Sequence, residues 1–160
     1  MYQSLNEGEV VDKRIAKVGV GAYLTASATT AVTTSYTTLL GTFDNVEISG
    51  FEIDVPTSKL KYLPSDGVTR TFNLIYSGVV KCPSNNDVVT VGIEHTNGSA
   101  AIVAGTETAI TCRIGGSSYP FAKVFPMTLE SGDLIEIQVK GDASFTLTMD
   151  EFSTTLTKMY

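Results

Sequence analysis

Histidine occurs once in this 160-residue chain, at His95, and cysteine only twice, at Cys82 and Cys112. A structural zinc site needs four cysteine or histidine ligands at paired spacing, so three such residues exclude one. A catalytic triad would have to be built on His95, yet no nucleophile-elbow pattern surrounds a serine. His95 stands two residues before Asn97 in a turn sequence and is expected to be a solvated turn histidine. Basic residues are scarce too, 11 against 17 acidic ones for a net charge of −6. That balance repels a phosphate backbone and argues against nucleic acid as a partner. No apolar run approaches a membrane-spanning length, so no membrane partner is expected. The start, "MYQSLNEGEVVDKRIAKVGVG", lacks the basic region, apolar run and small-residue cleavage site of a signal peptide. The chain is read as an intact product of a reducing compartment, with Cys82 and Cys112 expected as two free core thiols rather than a bridge.

Helical periodicity is missing as well. No stretch of a dozen residues places apolar positions at helical spacing between caps, whereas short period-two runs recur from end to end. Threonine, serine, valine and glycine are abundant, which favours strands and turns. Residues 1–20 are the exception: Lys13, Arg14 and Lys17 balance Glu7, Glu9 and Asp12, apolar residues are sparse, and the segment reads as an arm. Residues 21–160 form one domain of a length that can bury a sizeable core.

Within that domain "AYLTASATTAVTTSYTTLL" suits a bent or interrupted strand pair at the margin of a sheet. "NVEISGFEIDV" alternates with a one-residue slip at Ser49-Gly50 that a bulge would absorb. "TRTFNLIYSGVV" puts Phe72, Leu74, Tyr76 and Val80 on one face, with Thr71, Asn73 and Ser77 on the other. Asn97-Gly98, between two alternating runs, predicts a hairpin with a two-residue turn. "SFTLTMDEFSTTLTKMY" keeps Phe145, Leu147 and Met149 in phase before its register becomes less clear. Eight to ten strands in one turn-rich domain predict an all-β fold, two antiparallel sheets packed as a jelly-roll sandwich.

The segment "FPMTLESGDLIEIQVKGD" gathers Glu130, Asp133, Glu136 and Asp142, as an acid/base or metal site might. Its parity argues otherwise. Ile135, Ile137 and Val139 must face the core, which directs Glu136 to the opposite, solvated face with Gln138 and Lys140. Glu130 and Asp133 flank a turn-forming Ser-Gly, and no calcium-loop spacing is present. "GVGAY" at 19–23 lacks the third glycine of a phosphate loop and reads as a flexible junction. Asn97-Gly98-Ser99 matches the N-glycosylation pattern, but hairpin chemistry already accounts for it. No catalytic residue, metal or cofactor is expected.

The order of segments, "RTFNL", then the "EHTNG" hairpin, then "LESGDLIEIQV" and a threonine-rich last strand, resembles the small jelly-roll domains of tailed-bacteriophage virion proteins over about residues 45–157. Those domains are similar to the tumour-necrosis-factor and complement-type trimer fold. The family often has a lysine before Asn-Gly, where this chain has His95-Thr96. The resemblance implies a homotrimer with a structural or binding role in the virion, after synthesis in the host cytoplasm. Tyr62, Tyr119, Phe121 and Phe125 are candidate trimer contacts, or else simply fill the sandwich. Residues 1–20, with Val11, Lys13, Arg14, Ile15 and Lys17, are the candidate capsid-anchoring arm.

Two virion roles follow as expectations. One is a capsid decoration (cement) or head-fibre protein seated on the major capsid protein or another virion protein. The other is a tail-associated receptor-binding or carbohydrate-binding module with a host surface glycan as partner, for which Tyr119 is the nearest aromatic. A secreted trimeric ligand of the tumour-necrosis-factor type would need the signal or anchor that the start of the sequence does not show.

Overall fold

In the computed structural model the described residues are 19–54 and 59–159, and they hold strands without any helix. The first sheet runs β11 (Tyr119–Leu129), β7 (Arg70–Lys81), β13 (Phe145–Lys158), β1 (Gly19–Leu24) and β4 (Phe43–Ser49), with β2 (Ala28–Val32) also paired to β13. The second runs β10 (Thr108–Cys112), β8 (Asp87–Asn97), β12 (Leu134–Gly141), β6 (Lys59–Tyr62) and β5 (Phe51–Asp54), with β3 (Thr37–Thr38) on β12 and β9 (Ser99–Ile102) on β8. Every pairing is antiparallel. The expected two-sheet jelly roll is the fold observed.

The core lies between the sheets and is supplied by the parity read from the sequence. Phe72, Leu74, Tyr76 and Val80 of β7 meet Ile135, Ile137 and Val139 of β12 in one buried cluster. Aromatic rings fill its two ends, Phe51, Tyr62 and Phe72 at one and Tyr76, Phe121 and Phe152 at the other. The uncertain register after Met149 has a physical cause. Val80 pairs with Met149 but Val79 with Glu151, so Asp150 is an extra, bulged residue. The bulge resets the parity and lets Phe152, Thr154 and Leu156 face inward.

Several local expectations are corrected. The slip at Ser49-Gly50 is not a bulge within one strand: β4 belongs to the first sheet and β5 to the second, so the chain changes sheets at Gly50, whose φ is 76°. "GVGAY" is not a flexible junction but β1, hydrogen-bonded between β13 and β4, and Gly19 and Val20 of the expected arm lie in it. The hairpin at Asn97-Gly98 forms, but Thr96 pairs with Ala100 and Asn97 with Ser99, so the turn is centred on Gly98, which alone takes a positive φ there.

Cys82 and Cys112 are bonded, with Cα atoms 6.0 Å apart, which corrects the expectation of free thiols. The reason is topological. A short loop carries β7 into β8, and β10 runs back along β8 until Cys112 lies opposite Asp87. Thirty residues of sequence therefore return the chain to the same end of the sandwich.

Candidate interaction surface

Glu136 and His95, the groups nearest to chemistry in the sequence, are not solvated as expected. Glu136 is buried at 8% exposure, because β12 is an interior strand flanked by β8 on one side and by β6 and β3 on the other. Gln138 Nε2 donates to its Oε2 at 3.1 Å and the Lys59 ammonium lies 3.9 Å from its Oε1. Its carboxylate is thus paired rather than solvated. His95 is not a solvated turn residue either. It sits within β8 opposite Ile135, and its Nε2 is 2.8 Å from the Asp133 carboxylate, which also accepts from the Glu130 amide at 2.9 Å. Asp133 thereby closes the turn before β12 and ties it to β8.

Among the described residues no hydroxyl is hydrogen-bonded to His95. The bonded cysteines lie at the other end of β8, eight residues from His95 to Asp87, about 26 Å of extended chain. Among the described residues no group of three histidine, cysteine or carboxylate side chains could hold a metal ion.

The candidate contact residues divide. Tyr62 and Phe121 are buried and fill the sandwich, out of reach of a neighbouring subunit. The Tyr62 hydroxyl donates to the Val68 carbonyl at 3.0 Å and accepts from Arg70 at 2.8 Å. Tyr119 and Phe125 are half-buried on β11. The Tyr119 hydroxyl accepts from the Ile114 amide at 2.7 Å, which fixes the loop before β11. Phe125 lies over Gly105, where an added Cβ would come within 3.1 Å of its ring. Val11, Lys13, Arg14, Ile15 and Lys17 fall outside the described residues.

The outer face of the first sheet is where the surface departs from an ordinary solvated one. Ile75 of β7 lies between Val124 of β11 and Thr155 of β13, and Thr155 lies opposite Gly21 of β1. On one side of this row run Pro126, Asn73, Thr157 and Gly19; on the other run Ala122, Ser77, Ser153 and Tyr23. None of the twelve residues in these three cross-strand rows carries a charge. Val124 is 61% exposed, Ile75 42% and Tyr23 38%, so this is apolar area held against water. The outer face of the second sheet differs: Glu136 with Lys59, and Lys140 with Glu107, make it an ion-paired surface.

Sequence reasoning overlooked Ile75, Val79 and Val124. The signal was present in β7, where Ile75 and Val79 occupy the solvent parity of an otherwise regular alternation. Next to the apolar rows is an open cleft of about 360 Å³, lined by Ser77, Gly78, Val79, Pro120, Glu151 and Ser153 among others. It opens where β13 bulges. The Ser77 and Ser153 hydroxyls bond each other at 3.1 Å along one wall, and among the described residues Glu151 supplies the only charge in the lining.

No family model matches the chain, and no curated protein matches it in sequence. Solved structures match its fold. Eiger TNF from S. frugiperda covers 90% of this chain and 93% of its own, with a TM-score of 0.64 at 10% identity. Murine APRIL at pH 5.0 covers 87% of this chain and 98% of its own, with a TM-score of 0.57 at 13% identity. Murine APRIL at pH 8.0 gives 0.55 at 11% identity over the same shares. At such identities the likeness is one of fold, and the chain has a TNF-like jelly-roll fold.

Proposed function

We propose that this chain is a non-enzymatic structural protein of a tailed-bacteriophage virion, a homotrimeric jelly roll that decorates the capsid or forms a head fibre and is anchored by its N-terminal arm. The observation that carries the reading is the uncharged patch across β11, β7, β13 and β1 on the outer face of the first sheet, bordered by Asp44 of β4, which accepts from the Tyr23 hydroxyl, and by Glu151. Exposed Ile75, Val124 and Tyr23 are suited to burial against another protein surface, and the TNF-like sandwich supports a copy of the same chain as that surface. The order of the "RTFNL", "EHTNG" and "LESGDLIEIQV" segments supports the virion setting.

The tail-associated, glycan-binding reading is weaker at the residue offered for it. The Tyr119 hydroxyl is engaged by the backbone of its own loop and the ring is half-buried, so little of it is free to stack on a sugar.

Two measurements test the proposal. Sedimentation of the isolated protein should give a trimer, and deletion of residues 1–18, which spares Gly19 and Val20 of β1, should leave that trimer soluble but unable to cosediment with capsids. Full capsid binding by the truncated protein would remove the anchoring role. Binding to host cells or cell-wall glycans, without affinity for capsids, would replace the decoration reading with the receptor one.

A further inference from the structure

β11 is the edge strand of the first sheet, hydrogen-bonded within it to β7 alone. Such an edge invites another strand, and this one is guarded against it. Pro120 and Pro126 have no amide hydrogen to donate, and Lys123 sits on the inward parity between Phe121 and Met127, where a charge opposes sheet extension. A second copy approaching this edge must therefore dock through side chains.

Lys123 is the only charged residue on β11, it is half-exposed, and among the described residues it has no hydrogen-bond or ion-pair partner. Glu151 is in the complementary position. Its neighbour Asp150 is engaged by Lys81 at 2.6 Å and by Ser27 at 3.0 Å, whereas Glu151 is exposed and, among the described residues, unpaired. It is the one charged group in the cleft, with the Ser77 and Ser153 hydroxyls beside it. Lys123 marks an edge and Glu151 a face of the same sheet.

We infer that Lys123 of one copy enters the Glu151 cleft of the next, an edge-to-face ion pair that sets the register of the assembly. The aliphatic stem of the lysine lies along Val79 and Pro120, and its ammonium meets the carboxylate and the two serine hydroxyls. The contact joins two different patches, so it is heterologous, the type of contact that forms a ring where the rotation between copies closes, as in a trimer. The inference rests on the homotrimer proposed above and adds the residues that would specify it.

Charge exchange tests it. Lys123→Glu and Glu151→Lys should each weaken self-association by roughly tenfold or more in sedimentation equilibrium, and the double exchange should bring it back close to wild type. Circular dichroism confirms that each variant is folded, and the neutral Lys123→Gln and Glu151→Gln serve where a reversal is not. Carbodiimide treatment of the wild-type protein should join Lys123 Nζ to the Glu151 carboxyl as an amide, with loss of water, in cross-linked dimers identified by mass spectrometry. A trimer unaffected by either single exchange, or cross-linked dimers without this amide, would overturn the pair and leave the trimer standing. A monomeric wild-type protein would overturn both.

Discussion

Cys82 and Cys112 close a covalent link between the loop that leaves β7 and the end of β10. The same end is knitted by backbone bonds, from the Gly116 amide to the Cys82 carbonyl at 2.8 Å and from the Asn86 amide to the Cys112 carbonyl at 2.7 Å. Closing a loop across their 30-residue separation removes unfolded-state freedom worth about 3.6 kcal/mol on the chain-entropy scale. The Cys82→Ser/Cys112→Ser protein should therefore unfold at lower urea concentration by about that free energy. Thiol titration of the denatured, unreduced wild-type protein should find no free cysteine.

Gly78 is required by its neighbours rather than by its own torsions. A Cβ at this position would sit 2.6 Å from the Glu151 carbonyl oxygen and 2.9 Å from the Phe121 ring. The carbonyl belongs to the bulged part of β13 and cannot swing aside as a side-chain tip could. Gly78→Ala is expected to cost about 1–3 kcal/mol in denaturant unfolding, as overpacking does. Gly67→Ala meets no steric obstruction, and only its positive φ of 65° resists it.

Thr154 faces the core, and its hydroxyl is buried without a hydrogen-bond partner among the described residues. Valine has nearly the same shape and no polar group to desolvate. Thr154→Val should stabilise the protein by about 1 kcal/mol, since an unmet buried donor costs about that or more. Thermal unfolding of the pair of proteins measures it.

Two ion-paired carboxylates, half-buried Asp150 and exposed Asp66, make the fold sensitive to acid. The hydrogen bond from Lys81, with that from Ser27, holds the Asp150 carboxyl below its ordinary range, and the Arg70 guanidinium holds Asp66 well below it. A folded-state pKa lowered in this way contributes stability that is present above the unfolded value of about 3.9 and is lost as pH falls through the folded one. Unfolding temperature should fall between pH 5 and pH 2 by more than in Asp150→Asn, and high salt should shrink the difference, because both ion pairs lie at the surface within reach of solvent ions.

Ile75 and Val124 lie opposite one another at the middle of the uncharged face. Ile75→Asp and Val124→Asp place a carboxylate where no charge stands, on residues too exposed for the monomer's fold to depend on them. Each should leave the circular dichroism spectrum unchanged while shifting sedimentation from trimer to monomer. A trimer that tolerates both substitutions would show that some other surface is buried.

The alternation in "RTFNLIYSGVV" and "DLIEIQV" made the inward faces of β7 and β12 legible from the sequence, and with them the all-β class and most of the core. Legibility ended where a residue's surroundings come from a distant strand. Parity sent Glu136 outward correctly but could not tell that β8, β6 and β3 would enclose it, so a buried, paired carboxylate read as a solvated one. His95 read as part of a turn because Asn97-Gly98 is close in sequence, whereas its partner Asp133 is 38 residues away. Of the candidate contact aromatics, Tyr62 and Phe121 fill the sandwich, and Tyr119 and Phe125 stay half-buried on β11. Parity sets Tyr62 with Leu60 on the inward side of β6 and Ile75 on the outward side of β7, but what covers either side comes from distant strands.

Period-two patterning is a property of adjacent residues, because successive side chains of a strand point to opposite faces whatever it pairs with. The sequence by itself therefore determined where strands run, which side of each is apolar, and that turns rather than helices connect them. Strand order is set by pairings between segments far apart in the chain, and only the tertiary structure decided what depends on it. The return of β10 along β8 brought Cys82 to Cys112. The change of sheets at Gly50 divided one alternating run between two layers. The side-by-side placement of β11, β7, β13 and β1 turned scattered outward residues into one uncharged face, with Lys123 at its edge and Glu151 beside it.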